Sequence, residues 1–326
     1  MSDQPFNKSS QRAPLRAAIE REISGTPLSS LISASEELSE NYRLSSRSPD
    51  GRIIHNDHHR LAYLATRMPA TFEAGSAVLR EIYRQMPGIE VHSLLDLGSG
   101  PGTMAWAAIE IFPELETLTL IERDAGLISI GRRMGKGTPI ESSLWRQMDI
   151  SRSPELPESD LVVASYSIGE LDEKARKSVY MSMLGAARII GVIIEPGTGK
   201  GFGMIREARS FFIEKGAWII APCPHKLECP MTDGDWCHFS VRVERSSIHR
   251  RLKSGTMGYE DEKYSYLAFA KEPAVKAASR ILRHPGIHPG FIDFTLCTEN
   301  GIEKKTITKS NPLWKTARKA KWGDEW

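Results

Sequence analysis

The sequence predicts a doubly wound α/β domain, and three observations carry that prediction. Short apolar runs at Leu94 to Leu97, Leu118 to Ile121, Leu161 to Ala164 and Ile189 to Ile194 alternate with helical stretches. Continuous apolar strands are buried on both faces, which means a parallel sheet covered by helices. The first run enters a glycine-rich turn, Asp96-Leu-Gly98-Ser-Gly100-Pro-Gly102-Thr, that opens a helix. Acids then follow later strands: Glu122 ends the second run, and Asp149 lies where the third strand should end.

Taken in order, Leu15, Ala18, Ile19 and Ile23 recur at helical spacing, and Leu28, Leu31 and Ile32 begin a second helical stretch. From His58 to Met86 the apolar positions keep a 3.6 period that Pro69 should divide into two helices. His55, His58 and His59 lack a carboxylate or Cys companion at fixed spacing, so they read as a solvated helix start and not as metal ligands. Helices follow at Thr103 to Phe112, Ala125 to Met134, Glu173 to Ala187 and Phe202 to Lys215. A strand at Trp218 to Ala221 precedes a cysteine-rich insertion, residues 222–240, and a strand at Tyr264 to Ala270 is expected to close the sheet. The organisation is therefore an N-terminal helical region (1–75), the α/β domain (76–272) and a basic C-terminal extension (273–326).

Glycines at a strand-to-helix turn let the backbone approach a ligand, and the helix N-terminus offers unpaired N–H groups. A dinucleotide fingerprint needs a third glycine where this chain has Thr103, which disfavours NAD and FAD. Ligands of open α/β sheets bind outside the carboxyl ends of the strands, where Glu122 and Asp149 would converge. A carboxylate at Glu122 can accept from both hydroxyls of a ribose.

The chain has four cysteines. Three fall in one Pro-rich loop, Cys223-Pro-His-Lys-Leu-Glu-Cys229-Pro-Met-Thr-Asp-Gly-Asp-Trp-Cys237-His, and the fourth is Cys297. The opening MSDQPFNKSS contains no apolar signal core, so disulfides are not expected and a metal is. The wide spacing suits an iron–sulfur cluster better than zinc, which favours tighter pairs. A structural zinc site and unligated buried thiols are the alternatives.

Forty per cent hydrophobic and 26 per cent charged residues describe an ordinary globular protein. No apolar run approaches the roughly 18 residues of a membrane span. The acid-poor first eighteen residues, with Arg12 and Arg16, leave weak support for an organellar presequence, and cytoplasm is the expectation. A net charge of +2 means that nucleic-acid binding would have to come from local clusters. Two such clusters exist: segment 242–253, with Arg242, Arg245, His249, Arg250, Arg251 and Lys253, and segment 304–321, with Lys304, Lys305, Lys309, Lys315, Arg318, Lys319 and Lys321. Trp314 and Trp322 are interleaved with the second, a pattern that suits phosphates and unpaired bases. A solvated helix with its tryptophan in the core is the plainer reading of either run.

The stretch LLDLGSGPGT (94 to 103), with Glu122 and Asp149, resembles the S-adenosylmethionine site of class I methyltransferases, a Rossmann-like fold. The segments AYLATRMPATF (62 to 72), ASYSIGEL (164 to 171), IIEPGTGKGF (193 to 202), APCPH (221 to 225), WCHF (236 to 239) and DEKYSYL (261 to 267) go further. With the KKTITKS and ARKAKWGDEW of the tail, they are similar to a methyltransferase-like family of small-ribosomal-subunit assembly factors, known best in mitochondria and also in bacteria. The resemblance covers nearly everything after residue 55. It implies a methyltransferase fold on small-subunit rRNA, S-adenosylmethionine held by Asp96, Gly98, Gly100, Gly102, Glu122 and Asp149, and an iron–sulfur cluster, 4Fe-4S, on Cys223, Cys229, Cys237 and Cys297. It implies an assembly factor, with an active rRNA methyltransferase as the alternative. Amino methyltransferases of this class carry an Asn/Asp-Pro-Pro-aromatic motif after the fourth strand, where this chain has Ser165-Tyr-Ser-Ile-Gly-Glu170-Leu. All four cysteines being expected at the cluster, none is left as a nucleophile for carbon methylation. Glu170 is a possible base, without a neighbour to tune it, and no catalytic residue is assigned.

Overall fold

The computed structural model describes every residue except 1–11, 45–52, 153–154, 233, 254 and 275–276. Helices α1 (Arg12–Ile23), α2 (Leu28–Leu44), α3 (Asp57–Thr66) and α4 (Met68–Gln85) precede the sheet. The domain boundary expected at residue 75 falls inside α4. The break between α3 and α4 lies at Arg67, and Pro69 sits in the first turn of α4, where a missing N–H removes no intrahelical bond.

The α/β core then runs β1 (Ser93–Leu97), α5 (Thr103–Ile111), β2 (Thr117–Glu122), α6 (Ala125–Gly135), β3 (Leu144–Gln147), β4 (Ser159–Ser165), α7 (Glu173–Ala186), β5 (Ala187–Pro196), α8 (Gly199–Glu214) and β6 (Trp218–Ala221). It ends with β7 (Phe239–Glu244), α9 (Ser247–Leu252) and β8 (Tyr259–Ala270). Strand order is β3-β2-β1-β4-β5-β8-β6, with β7 continuing along β8. The first five strands are parallel, and β8 is antiparallel to β5, β6 and β7.

The apolar runs are buried on both faces because alternate side chains feed separate cores. Leu94, Leu120, Leu161 and Ile190 pack with α4 and α5, whereas Leu95, Leu97, Val162 and Ile193 pack with Tyr180 and Met183 of α7 and Phe212 of α8. Each such Leu or Ile side chain contributes about 1.5–3 kcal/mol on full burial. Phe212 stacks on Phe269 of β8 at 3.7 Å between ring centroids. Gly191 of β5 leaves the room: a Cβ there would meet the Phe269 ring at 2.1 Å. Strand β8, expected to close the sheet, lies inside it between β5 and β6. Its last seven residues are all buried.

A second, antiparallel sheet follows, built from β9 (Ser279–Ile281), β10 (Gly286–His288), β11 (Phe291–Thr298) and β12 (Gly301–Thr308), with the short α10 (Trp314–Ala317) behind it. Ile281, Ile292, Phe294, Leu296, Ile307 and Ala317 form its core, with Trp314 and Trp326 packed against them. Arg280, 3% exposed, ties this sheet to the rest. Its Nε donates to Pro222 O (2.9 Å), its Nη1 to Gly323 O (2.8 Å) and to the Glu81 carboxylate of α4, and Glu325 lies at 3.7 Å.

Candidate functional site

The glycine turn sits where β1 is flanked by β2 on one side and β4 on the other, the switch point at which open α/β sheets bind ligands. Gly98, Gly100 and Gly102 all have positive φ (71°, 55° and 88°). The Gly98 and Ser99 N–H groups donate to Ile121 O, both at 2.9 Å, which folds the turn against the end of β2. A Cβ on Gly98 would lie 2.5 Å from that of Ser167, so the close approach as well as the dihedral requires glycine.

Glu122, at the end of β2, accepts from Gly100 N–H (2.9 Å) and from Asp124 N–H (2.8 Å). Burial raises its pKa, and those backbone donors act against the rise. Its carboxylate is thus fixed in orientation beside the turn. Asp124 caps α6 by accepting from Leu127 N–H (2.9 Å) and receives a two-bond fork from Arg60 of α3, both contacts at 2.8 Å. Burial would raise the Asp124 pKa, but Arg60 and the cap outweigh it and hold it low. Neither residue is marked by the sequence reading; the pattern of an N-cap acid two residues beyond a strand-end acid was the available signal. Asp149 lies two residues past β3, slightly beyond the expected strand end, and accepts from Ser151 N–H (2.9 Å).

Asp96 is different. It is 1% exposed, and neither of its carboxylate oxygens has a hydrogen-bond partner. Burial, with the nearby charge of Glu122, pushes its pKa up to about 8. A buried unpartnered carboxyl calls for a donor or a cation from a ligand or water.

Several of these groups border a cavity of about 700 Å³; Asp96 and Gly102 lie behind its lining. Gly98, Gly100, Glu122, Met148, Asp149 and Ile150 line it. So do Tyr166, Glu170, Glu195 and Thr198, with Tyr42 of α2, Arg67 and Lys253. Tyr166 follows β4 with φ 55°, left-handed for a bulky residue, and its hydroxyl donates to Glu262 (3.1 Å), which also takes the Arg67 fork. Glu170 is ion-paired with Arg123 at 2.7 Å. Glu195 accepts from the Ile168 (3.0 Å) and Gly169 (3.2 Å) N–H groups, and burial pushes its pKa up to about 8.

All four cysteines line a second, small cavity of about 40 Å³, which His225, Arg209 and Arg280 also border. Three belong to the loop between β6 and β7, and Cys297 reaches it from β11. The loop is held by Arg209, which donates to His225 O (2.9 Å) and Leu227 O (2.7 Å), by Trp236 Nε1 donating to Gly197 O (2.9 Å), and by Ser265 donating to Cys237 O (2.8 Å). The four thiols are free, and burial raises the pKa of Cys229, Cys237 and Cys297, the last to about 12. Among the described residues no group of three or more His, Cys, Asp or Glu side chains is arranged to hold a metal ion. The thiols share a cavity without forming a closed ligand set.

Of the histidines, His55 and His58 are exposed, as a solvated helix start should be. His59 is not: it is 3% exposed and pairs with Glu37 of α2 at 2.7 Å. The basic segment 242–253 is neutralised in part. Arg242 pairs with Asp261 (3.2 Å), and Arg245 (2.8 Å) and Lys253 (3.0 Å) both pair with Glu260, whereas Arg250 and Arg251 are exposed and take no ion pair among the described residues. In segment 304–321, Lys304, Lys305, Lys309, Lys315, Arg318, Lys319 and Lys321 are all exposed, and no ion pair holds them among the described residues. The first two lie on strand β12, not on a helix.

A parallel sheet with its glycine turn at the switch point, strand-end acids and an antiparallel strand inserted beyond β5 define a methyltransferase-like α/β protein. The chain belongs to the family described as mitochondrial small ribosomal subunit Rsm22, whose profile matches residues 57–326. It is similar to the human ribosome assembly protein METTL17, mitochondrial (26% identical over 286 residues, 81% of this chain and 61% of that one). It is also similar to the Rsm22-cox11 tandem protein 2, mitochondrial, of Schizosaccharomyces pombe (25% over 326 residues, 82% and 43%). The chain thus spans less than two thirds of either relative. A solved structure, the precorrin-6y C5,15-methyltransferase of Geobacter metallireducens, aligns with a TM-score of 0.41 at 13% identity over 60% of this chain and 88% of that one, a likeness too slight to bear on function. The cytoplasmic location expected from the sequence is overturned by these findings, since the family and both relatives are described as mitochondrial.

Proposed function

We propose that this chain is an assembly factor of the mitochondrial small ribosomal subunit that binds its rRNA, holds S-adenosylmethionine or its demethylated product in the large cavity, and carries an iron–sulfur cluster on its four cysteines. The observation that carries the RNA-binding reading is the row of seven exposed cations at 304–321 without ion pairs, since unpaired cations release counterions when they meet phosphates. Segment 242–253 supports it less, since Arg242, Arg245 and Lys253 pair with Asp261 and Glu260 and leave Arg250 and Arg251 as its exposed cations without ion pairs among the described residues. The fit of the cofactor rests on the glycine cradle and on the oriented Glu122 carboxylate, which borders the cavity. The fit of the cluster rests on a set of four soft donors around one cavity, and zinc is the alternative for the same donors.

The test replaces Arg318, Lys319 and Lys321 with Ala. Sedimentation with immature small subunits should be lost, and the salt dependence of RNA affinity should flatten by roughly the number of phosphate contacts removed. Unchanged association at physiological salt would remove the tail from the proposal. For the cofactor, calorimetry should find S-adenosylhomocysteine binding that Glu122→Ala weakens by about 1–3 kcal/mol, the scale for leaving hydrogen-bonding groups unpaired. No binding by the intact protein would leave the cavity without this ligand.

A second reading, an active rRNA methyltransferase, is favoured by the left-handed Tyr166 that lines the same cavity, because strained backbone clusters where substrates are handled. Glu170 is a poor base for it while held by Arg123.

A further inference from the structure

We propose that the outer face of the C-terminal sheet, which includes the first lysines of the cationic segment 304–321, is a platform for single-stranded RNA. The inference rests on the RNA-binding reading and names the surface and the form of RNA that it would take. Alternation along β11 and β12 buries Ile292, Phe294, Leu296 and Ile307 on one face. The register then sets His288, Phe291 and Thr308 side by side on the other, followed by Asp293 beside Thr306 and Thr295 beside Lys304. Unlike the core-facing side, this face remains open: His288, Lys304, Thr306 and Thr308 are exposed, and Phe291, Asp293 and Thr295 are half-buried.

Its chemistry matches an unpaired strand. His288 lies flat on Phe291, 4.5 Å between centroids and 16° between planes, which presents an aromatic surface for a base. Lys304 stands four residues along β12 from Thr308, about 13 Å at strand rise, and Lys309 is tied beside the stack by its N–H to Gly290 O (3.0 Å). Neither lysine has an ion pair among the described residues, so both are free for phosphates. Asp293 would repel phosphate, but it accepts from the Thr306 hydroxyl at 2.5 Å and sits 3.6 Å from His288 Nε2, at the edge of that ring. Duplex RNA keeps its bases stacked on one another, whereas a single strand can lay one on this surface while its backbone follows the lysines.

The test measures anisotropy of a labelled twelve-nucleotide oligouridylate and of a labelled RNA hairpin closed by a non-nucleotide linker, which leaves no unpaired base, with the full-length protein. His288→Ala combined with Phe291→Ala should weaken oligouridylate binding roughly tenfold without changing its salt slope, because stacking releases no counterions. Phe291→Tyr, which keeps the ring, should bind as wild type. Lys304→Ala combined with Lys309→Ala should lower the salt slope by about 1.4, at ~0.7 per phosphate on a single strand. Hairpin binding should be unaffected by the aromatic pair of substitutions. Wild-type affinity in the doubly substituted aromatic variant, or an equal loss on the hairpin, would overturn the platform. If the tail variant still loses small-subunit association in that case, the assembly reading survives on its own.

Discussion

Arg280→Ala is expected to remove about 3–5 kcal/mol of unfolding free energy, the range for breaking a buried ion pair and leaving its partner uncompensated. The reason is geometric. One buried guanidinium serves Glu81 on α4, Pro222 at the start of the cysteine loop, and Gly323 in the tail, so three segments far apart in sequence lose a common donor. Arg280→Lys should recover only part of the loss, since a single ammonium cannot reproduce the fork. Urea denaturation followed by fluorescence measures both, and a loss below about 1 kcal/mol in the alanine variant would contradict the role. The pH dependence adds a check. Burial would raise the Glu81 pKa, but Arg280 and Arg84 outweigh it and hold it below the ordinary value. A depressed carboxyl contributes stability that is present above its unfolded pKa, about 4.3, and is lost as pH falls through the folded value. The alanine variant should therefore show a shallower fall in stability on that acid limb.

The second large effect is on the metal. Anaerobically purified protein is expected to contain iron and acid-labile sulfide, with a visible absorption band that oxidation abolishes. Cys297→Ser should lose them as completely as Cys229→Ser, although it belongs to a different sheet, because both thiols line the same cavity. Metal bound only by the folded state contributes its binding free energy to folding, about 10–16 kcal/mol for structural zinc in small domains, so the unloaded variants should also melt at lower temperature. Stoichiometric zinc without sulfide would assign the same donors to a zinc site, and no bound metal at all would leave four unligated thiols.

The legible parts of the fold were those written in local pattern. Runs such as Leu161 to Ala164 declare a doubly buried strand by themselves, and the glycines at 98, 100 and 102 declare a turn that side chains would obstruct. Pairing is not local, so the run at Tyr264 to Ala270 was readable as a strand while its place between β5 and β6 was not. The C-terminal sheet was hidden for another reason. Glu303, Lys304, Lys305 and Thr306 are all exposed on β12, leaving Ile307 as its one buried side chain and no apolar alternation to read. At the candidate site, Glu122 and Asp149 follow from their strands, but the Arg60 fork on Asp124 and the two N–H groups on Glu195 bring together residues 64 and 26 to 27 positions apart. Charge runs are hardest to read where partners are remote in sequence: Glu260 and Asp261 stand outside segment 242–253 and pair with Arg242, Arg245 and Lys253 of it.

The insertion of β8 between β5 and β6 also orders events during synthesis. Strand β6 pairs with β8 alone in the sheet, and β8 begins only at Tyr259, after the cysteine loop has been made. At translation rates of about 5–20 residues per second, β6 and three of the thiols wait for seconds before a template strand exists, and longer before Cys297 is reached. The nascent α/β half can meanwhile settle β1 to β5, whose parallel pairings with one another need no later strand. Its remaining edge, the outer side of β5, is unpaired during that interval and is the segment most exposed to wrong association. A chaperone or an early metal donor acting on this chain would find its window there, between emergence of Pro196 and completion of Ala270.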